Sequence, residues 1–284
     1  MLRAKLSPQS LNVIPNAVDP SKFTPDPSKR HATRTKIVVV SRLVYRKGGD
    51  LLVGIIPKLC STNPNVDFII GGDGSKRSAL QEMVEREHIQ DRVEFLGAVP
   101  HSEVRNVLCR GHVFLNCSLT ESFCIAILEA ACCGLLVVST SVGGVPEVLP
   151  DDLIFLSDPD VSALVRGLEL AIAKKATVDP WGTHKRIKEM YSWSRVANET
   201  VQVYRRVMTK QPRTLLDRLE RCYACVGGLA GGVTCLLLVS FEFWLLFIEW
   251  WQPTECIDAV PDFLDGVAHL PLPVDENLGA RKRK

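Results

Sequence analysis

The sequence predicts an α/β fold, in which a Rossmann-like parallel sheet is followed by one transmembrane helix. Two observations predict the sheet: short runs of apolar, often β-branched residues recur along the chain, and segments with helical apolar spacing separate them. Uninterrupted apolar strands are typical of a parallel sheet that helices cover on both faces. A third observation predicts the membrane helix, because no Asp, Glu, Lys or Arg occurs from Cys222 to Phe241.

Each expected strand is a short apolar run, and the six runs are Ile37–Val40, Val66–Ile70, Val93–Leu96, Val113–Cys117, Leu135–Ser139 and Leu153–Leu156. Helices are expected between and after these strands, at Asp50–Cys60, Ser78–His88, Ser102–Cys109, Ser122–Cys133, Val161–Ala173, His184–Tyr191 and Ser194–Met208. This alternation predicts one Rossmann-like domain, which we place at residues 36–208. Residues 1–35 are rich in proline and are expected to form a junction and linker.

The uncharged run near the C-terminus is long enough to cross a bilayer. As one helix, residues 222–248 would extend about 40 Å, and the hydrocarbon core of a bilayer is about 30 Å thick. A buried helix of a soluble protein is the alternative, but such helices rarely continue for about twenty residues without a charge. Basic residues precede the run and carboxylates follow it. The positive-inside rule therefore places residues 1–221 in the cytosol, with 209–221 beside the membrane and 249–284 as a lumenal tail.

Composition excludes several classes of protein. The chain of 284 residues is 46% hydrophobic and 23% charged, which excludes a disordered or low-complexity protein. A net charge of +2 is too balanced for a nucleic-acid-binding protein, so no nucleic acid is expected as a partner. We interpret the ten cysteines as reduced thiols that act as small hydrophobic residues. No metal-binding motif is evident, and neither a metal nor a cofactor is expected.

Doubly wound sheets bind ligands at the carboxyl ends of their strands, and four motifs fall there. In the first, Arg42 follows the first strand and Lys47 begins the next helix, so two cations on one loop are placed to clamp a diphosphate. In the second, Gly72 and Gly74 after the second strand allow a ligand to approach the backbone closely. Neither motif is specific alone, since a solvated basic loop and a plain turn are the alternatives.

The third motif is the pair Glu121 and Glu129 after the fourth strand. A helix that opens at Ser122–Cys124 would offer free amides and the positive end of its dipole to an anion. On one helix the two carboxylates would lie about 12 Å apart along the axis, which suits an extended nucleotide sugar. That separation exceeds the roughly 5–9.5 Å between the paired carboxyl groups of glycosidases. The alternative is one capping glutamate and one ordinary helix glutamate.

The fourth motif, Gly143–Glu147, is typical of a tight glycine-rich turn followed by a helix that begins with proline. Together and in this order, the four motifs resemble the donor-binding half of retaining GT-B glycosyltransferases of family 4. Within that family, Val39–Gly48, Asp67–Gly72 and Ser118–Glu121 resemble the branch that transfers N-acetylglucosamine from UDP-N-acetylglucosamine to phosphatidylinositol. This resemblance covers about residues 10–250.

The resemblance implies the first step of GPI-anchor synthesis at the endoplasmic reticulum membrane. It implies a single-pass protein with a cytosolic catalytic region, and partnership with the other subunits of a GPI-N-acetylglucosaminyltransferase complex. Glu121 would be the catalytic residue that contacts the transferring sugar, with retention of anomeric configuration. The implied donor-binding residues are Arg42, Lys47, Gly72, Gly74, Ser122, Phe123, Cys124 and Glu129. Two cations and a helix end would stabilise the departing UDP without a metal.

One further segment, Ile14–Asp19, resembles the junction between the two halves of the GT-B fold. On that resemblance we expect this chain to bind the donor without autonomous catalysis. The alternative is a non-catalytic, membrane-anchored subunit or truncated isoform that acts as an interaction module. A soluble nucleotide-sugar enzyme is disfavoured by the predicted membrane span.

Overall fold

The structure, a computed structural model, describes residues 11–209 and 213–256. It divides the chain into two compact units, Met1–Thr209 and Lys210–Lys284. The first unit contains a six-stranded sheet whose strands are β1 (Thr35–Val40), β2 (Val66–Gly71), β3 (Val93–Gly97), β4 (Val113–Asn116), β5 (Leu136–Thr140) and β6 (Ile154–Ser157). All neighbouring strands are parallel, in the order β3-β2-β1-β4-β5-β6.

Seven helices accompany the sheet in the described part of this unit: α1 (Gly49–Thr62), α2 (Arg77–Arg86), α3 (His101–Cys109), α4 (Ile125–Cys132), α5 (Val161–Lys174), α6 (Pro180–Met190) and α7 (Trp193–Met208). The pleat of β1 separates two buried cores, since Ile37 and Val39 lie in one and Val38 in the other. The first core also contains residues of α1, α2 and α5, and the second contains residues of α3, α4 and α6. The predicted fold class, a Rossmann-like sheet covered on both faces, is confirmed.

The strand order places the ligand-binding edge of the sheet. The chain runs outward from β1 through β2 to β3 and then returns to β4 on the other side of β1. The loops after β1 and β4 therefore leave the sheet in opposite directions and open a crevice between them, which is where ligands bind in such sheets. Residues 41–48 and 117–124 form these two loops.

Two expectations about the local structure were wrong. The helix predicted over Ser122–Cys133 begins at Ile125, because Cys124 adopts a left-handed backbone conformation at φ 64°. The segment after Gly143 forms a single 3-10 turn, Val145–Glu147, and not a longer helix. Each predicted strand coincides with an observed strand to within two residues at either end.

The second unit contains α8 (Leu215–Val226) and α9 (Gly228–Trp251). The single helix predicted over residues 222–248 is interrupted at Gly227, whose φ of 69° and ψ of 165° are not helical. α9 alone has 24 residues, a mean hydropathy of 2.0 and little buried surface, so its length and composition suffice to cross a membrane. Residues 257–284, most of the predicted lumenal tail, lie outside the described residues.

α8 and α9 pack against each other within this unit. The thiol of Cys235 on α9 donates to the carbonyl of Leu219 on α8 at 3.4 Å. Arg218 on α8 forms an ion pair with Glu242, the carboxylate that ends the uncharged run of the sequence. Thr214 and Asp217 form a reciprocal capping box that satisfies the first amides of α8.

Candidate functional site

A cavity of about 340 Å³ opens between the loops that follow β1 and β4. Its lining residues are Arg42, Val44, Arg46, Lys47, Thr120, Glu121 and Ser122. Three cations and one carboxylate give the cavity a positive balance, which favours an anionic ligand. A larger cavity of about 630 Å³ lies beside β6 and α5, but none of the predicted site residues lines it.

The cavity brings together four of the predicted site residues, Arg42, Lys47, Glu121 and Ser122. The Lys47 ammonium forms an ion pair with Glu121 Oε1. The Glu121 side chain is 13% exposed and that of Lys47 25%, so the pair faces the cavity with limited access to water. The pair joins the loop after β1 to the loop after β4 across the crevice.

Buried polar groups hold the Glu121 carboxylate from behind. The Ser118 hydroxyl lies 2.9 Å from Glu121 Oε1 and 2.9 Å from the side-chain oxygen of Asn116. The amide of Asn116 donates to the Ser139 hydroxyl at 2.8 Å, and the Thr140 hydroxyl donates to the carbonyl of Ser118 at 2.5 Å. These four residues are all buried. Because the network is anchored on β4 and β5, it fixes the carboxylate relative to the sheet.

Close backbone contacts, possible only at glycine, hold the loops around the cavity together. A Cβ at Gly48 would lie 1.9 Å from the carbonyl oxygen of Cys117, and one at Gly143 would lie 1.9 Å from that of Glu121. Gly72 and Gly74 were expected from the sequence to make room for the donor. The backbone of the β1 loop occupies that space, since their Cβ atoms would lie 1.8 and 2.4 Å from the carbonyl oxygens of Ser41 and Leu43. These two glycines therefore allow loops to pack, and contact with a donor stays a prediction.

The later start of α4 changes the expected anion contacts. Ser122, Phe123 and Cys124 precede the helix, so its first free amides belong to the residues from Cys124 and Ile125 onward. Ser122 lines the cavity, whereas Phe123 packs against the core, where its ring lies 5.9 Å from that of Tyr191. Burial, together with the nearby Glu121 carboxylate, raises the pKa of Cys124 to about 12, so this residue is a neutral thiol.

Glu129 lies apart from the cavity residues. Glu121 is in a loop and Glu129 in the second turn of α4, so the predicted spacing along one helix was wrong. Glu129 is 7% exposed, and burial raises the pKa of its carboxyl, an effect that nearby His101 partly offsets. A buried carboxyl of this kind accepts hydrogen bonds from hydroxyl groups of a ligand at lower desolvation cost than an exposed one.

Sequence reasoning missed several residues at this edge. Arg46 lines the cavity, but beside Lys47 it is indistinguishable from a solvated surface cation in the sequence. Asn116 and Ser118 were included in a strand and a motif, with no role assigned to their side chains. Among residues 11–209 and 213–256, no group of three or more His, Cys, Asp or Glu is placed to hold a metal ion.

A doubly wound parallel sheet with a cation-lined cavity at its switch point defines a nucleotide-binding type of α/β domain. Comparison with known families makes this specific. The profile of the family described as "Glycosyl transferases group 1" matches residues 21–189. The chain therefore belongs to the group 1 glycosyltransferases, and the resemblance to GT-B enzymes predicted from the motifs is confirmed.

Curated relatives share the sequence well beyond that region. The phosphatidylinositol N-acetylglucosaminyltransferase subunits of this type from Arabidopsis thaliana and from Homo sapiens are each 52% identical over 92% of this chain. The gpi3 subunit of the corresponding enzyme in Schizosaccharomyces pombe is 43% identical over 92% of this chain. The chain covers 58%, 54% and 58% of the lengths of these three relatives, respectively, so it spans little more than half of each.

Solved structures share the fold at lower identity. Sucrose-phosphate synthase from Thermosynechococcus elongatus matches with a TM-score of 0.61 at 23% identity, over 69% of this chain and 52% of that protein. Anabaena Alr3699/HepE, solved in complex with UDP-glucose, matches with a TM-score of 0.60 at 21% identity, over 74% of this chain and 60% of that protein. Both comparisons support the GT-B type of fold.

Proposed function

We propose that this chain provides the donor site for transfer of N-acetylglucosamine from UDP-N-acetylglucosamine to phosphatidylinositol, the first step of GPI-anchor synthesis. The observation that carries the proposal is the 52% identity, over 92% of this chain, to relatives named for that reaction. The cavity between β1 and β4 supports it, because its cations suit a nucleoside diphosphate. The proposal assigns the chain no cofactor, and UDP-N-acetylglucosamine is its donor substrate.

In this proposal the cavity residues act on the donor. Arg42 and Lys47 hold the diphosphate, and the first amides of α4 add a positive dipole end to the same anion. Glu121, kept in place by Ser118, contacts the transferring sugar. Glu129 accepts hydrogen bonds from the ribose. As UDP departs, the cations stabilise the charge that develops on the β-phosphate, and the anomeric configuration is retained.

The acceptor is a lipid, and α9 supplies a means of meeting it. We propose that α9 crosses the endoplasmic reticulum membrane once, with residues 1–209 in the cytosol. The basic residues before α9 and the carboxylates after it support that orientation. The word "subunit" in the relatives' names supports assembly with further subunits of a transferase complex.

Calorimetric titration of UDP-N-acetylglucosamine into the full chain in detergent micelles tests the donor site. Binding is expected for the wild type and is expected to weaken at least about tenfold in Arg42→Ala and in Glu129→Ala. Arg86→Ala, a change at an exposed arginine on α2, is the matched control and should bind as the wild type does. A folded wild-type chain that does not bind the nucleotide sugar would refute the donor site and leave the non-catalytic interaction module.

A further inference from the structure

Arg46 is the third cation of the cavity, beside Arg42 and Lys47. The Lys47 ammonium is already paired with Glu121, so these two charges cancel locally. Within residues 11–209 and 213–256, the Arg42 and Arg46 guanidinium groups make no side-chain hydrogen bond or ion pair. The cavity therefore presents two unpaired guanidinium groups to a ligand.

The backbone of Arg46 is fixed although its side chain is not. It lies in the 3-10 turn Tyr45–Lys47, which closes with a hydrogen bond of 2.9 Å from the Gly48 amide to the Tyr45 carbonyl. The Arg46 carbonyl accepts a hydrogen bond of 2.9 Å from the Leu119 amide, which ties the turn to the loop after β4. A guanidinium on such a fixed base loses little backbone freedom on binding, and its planar fork matches two phosphate oxygens.

We propose that Arg46 binds a phosphate group of a substrate as a cation additional to Arg42 and Lys47. The inference rests on the proposed function, in which the donor brings a diphosphate and the acceptor a phosphodiester. A diphosphate ester carries two negative charges, and Arg42 alone cannot balance them while Lys47 remains paired with Glu121. The phosphodiester adds another negative charge. A third cation is therefore needed for the phosphates that the two substrates bring to this crevice.

Matched pairs of ligands isolate the phosphate from the rest of each substrate. UDP and uridine differ by the diphosphate, and glycerophosphoinositol and myo-inositol differ by the glycerol phosphodiester. Dissociation constants are measured for all four with the full chain in phosphatidylcholine nanodiscs. The ratio within each pair gives the gain in affinity from the phosphate, for the wild type, Arg46→Ala, Arg46→Gln and the control Arg86→Ala.

The proposal expects both Arg46 variants to lose about tenfold or more of the gain in one pair, with Arg86→Ala unchanged. Loss in the UDP pair identifies the donor diphosphate, and loss in the inositol pair identifies the acceptor phosphodiester. Thermal unfolding confirms that the variants remain folded. Wild-type gains that survive in both Arg46 variants, or that fall equally in Arg86→Ala, overturn the role of Arg46 alone. A folded wild type that gains nothing from either phosphate overturns this role together with the proposed function.

Discussion

The ammonium of Lys47 is ion-paired with the carboxylate of Glu121, although the two residues are 74 positions apart in the sequence. Each stands on a different side of the switch point, one after β1 and the other after β4. The pair therefore sets the width of the crevice as well as its charge. A buried or half-buried pair of this kind is destabilising when one partner is removed, because the other charge remains without compensation.

Lys47→Met is expected to lower Tm and to weaken UDP binding by about tenfold or more, because it removes both the partner of Glu121 and a phosphate cation. The double variant Lys47→Met/Glu121→Gln should recover most of the lost Tm, since no unpaired charge remains, but should not recover binding. Thermal unfolding and calorimetric titration measure the two effects separately.

The exposed residue Lys58 on α1 provides the control for this prediction. Its ammonium donates only to the Ser162 hydroxyl at 2.8 Å, so Lys58→Met should change neither Tm nor UDP affinity appreciably. Recovery of UDP binding in the double variant would show that Lys47 orders the loop and does not contact the phosphate.

Gly72 and Gly97 make a matched pair for testing how the loops are held together. Both have a positive φ, 146° and 69°, so alanine is strained at either position. A Cβ at Gly72 would lie 1.8 Å from the Ser41 carbonyl oxygen, whereas one at Gly97 would lie 3.6 Å from its nearest neighbour, a nitrogen of Arg77. Gly72→Ala should therefore lower the free energy of unfolding by more than Gly97→Ala, which costs only about 1–2 kcal/mol of backbone strain. Equal losses in urea unfolding would show that the β1 loop moves aside without cost.

The sheet was predictable because its information is local. Six buried apolar runs separated by helical spacing leave little choice of fold, and the observed strands follow them closely. The start of α4 was not predictable, since a left-handed conformation at Cys124 has no signal in the sequence. The break at Gly227 lies inside an uncharged run, where glycine is common in membrane helices as well as at breaks.

The candidate site was predictable only where a motif carried it. Arg42, Lys47, Glu121 and Ser122 were identified from motifs and do line one cavity. Glu129 was placed beside them on the assumption of one continuous helix, which the structure contradicts. The role of Ser118 depends on contacts with residues of β4 and on its distance from Glu121, and such contacts follow from the fold alone.

Glu129 should show a conflict between stability and binding. Because burial raises the pKa of its carboxyl, the folded chain holds a proton at this site over a range of pH where the unfolded chain has lost it. Stability is therefore lost as the pH rises from about 4.5, the ordinary pKa, through the raised value. Glu129→Gln should be more stable than the wild type at pH 7, and the difference should shrink below pH 4.5. In calorimetric titration the same variant should bind UDP-N-acetylglucosamine more weakly, and greater stability without weaker binding would remove Glu129 from the donor site.

His112 should contribute in the opposite sense. Its Nδ1 accepts a hydrogen bond of 3.1 Å from the Lys36 amide, and burial with nearby Arg30 and Lys175 lowers the pKa of His112 to about 4. Between pH 6.5 and about 4 the unfolded chain therefore takes up a proton that the folded chain does not, and stability falls as the pH falls through that window. His112→Asn keeps an acceptor near the position of Nδ1 and does not titrate. Urea unfolding at several pH values should show a smaller loss for His112→Asn, and parallel curves would contradict the assignment.

Arg218 and Glu242 should be energetically coupled. Glu242 lies in the helix proposed to cross the membrane, where an unpaired carboxylate costs several kcal/mol by order of magnitude. Arg218→Leu should therefore lower Tm of the full chain in micelles, and the double variant Arg218→Leu/Glu242→Leu should recover it. Arg221→Leu on the same helix, at an arginine without a side-chain partner among the described residues, is the matched control and should have little effect. A double variant as unstable as Arg218→Leu alone would show that the arginine stabilises α8 by some other contact and that the two helices do not depend on this pair.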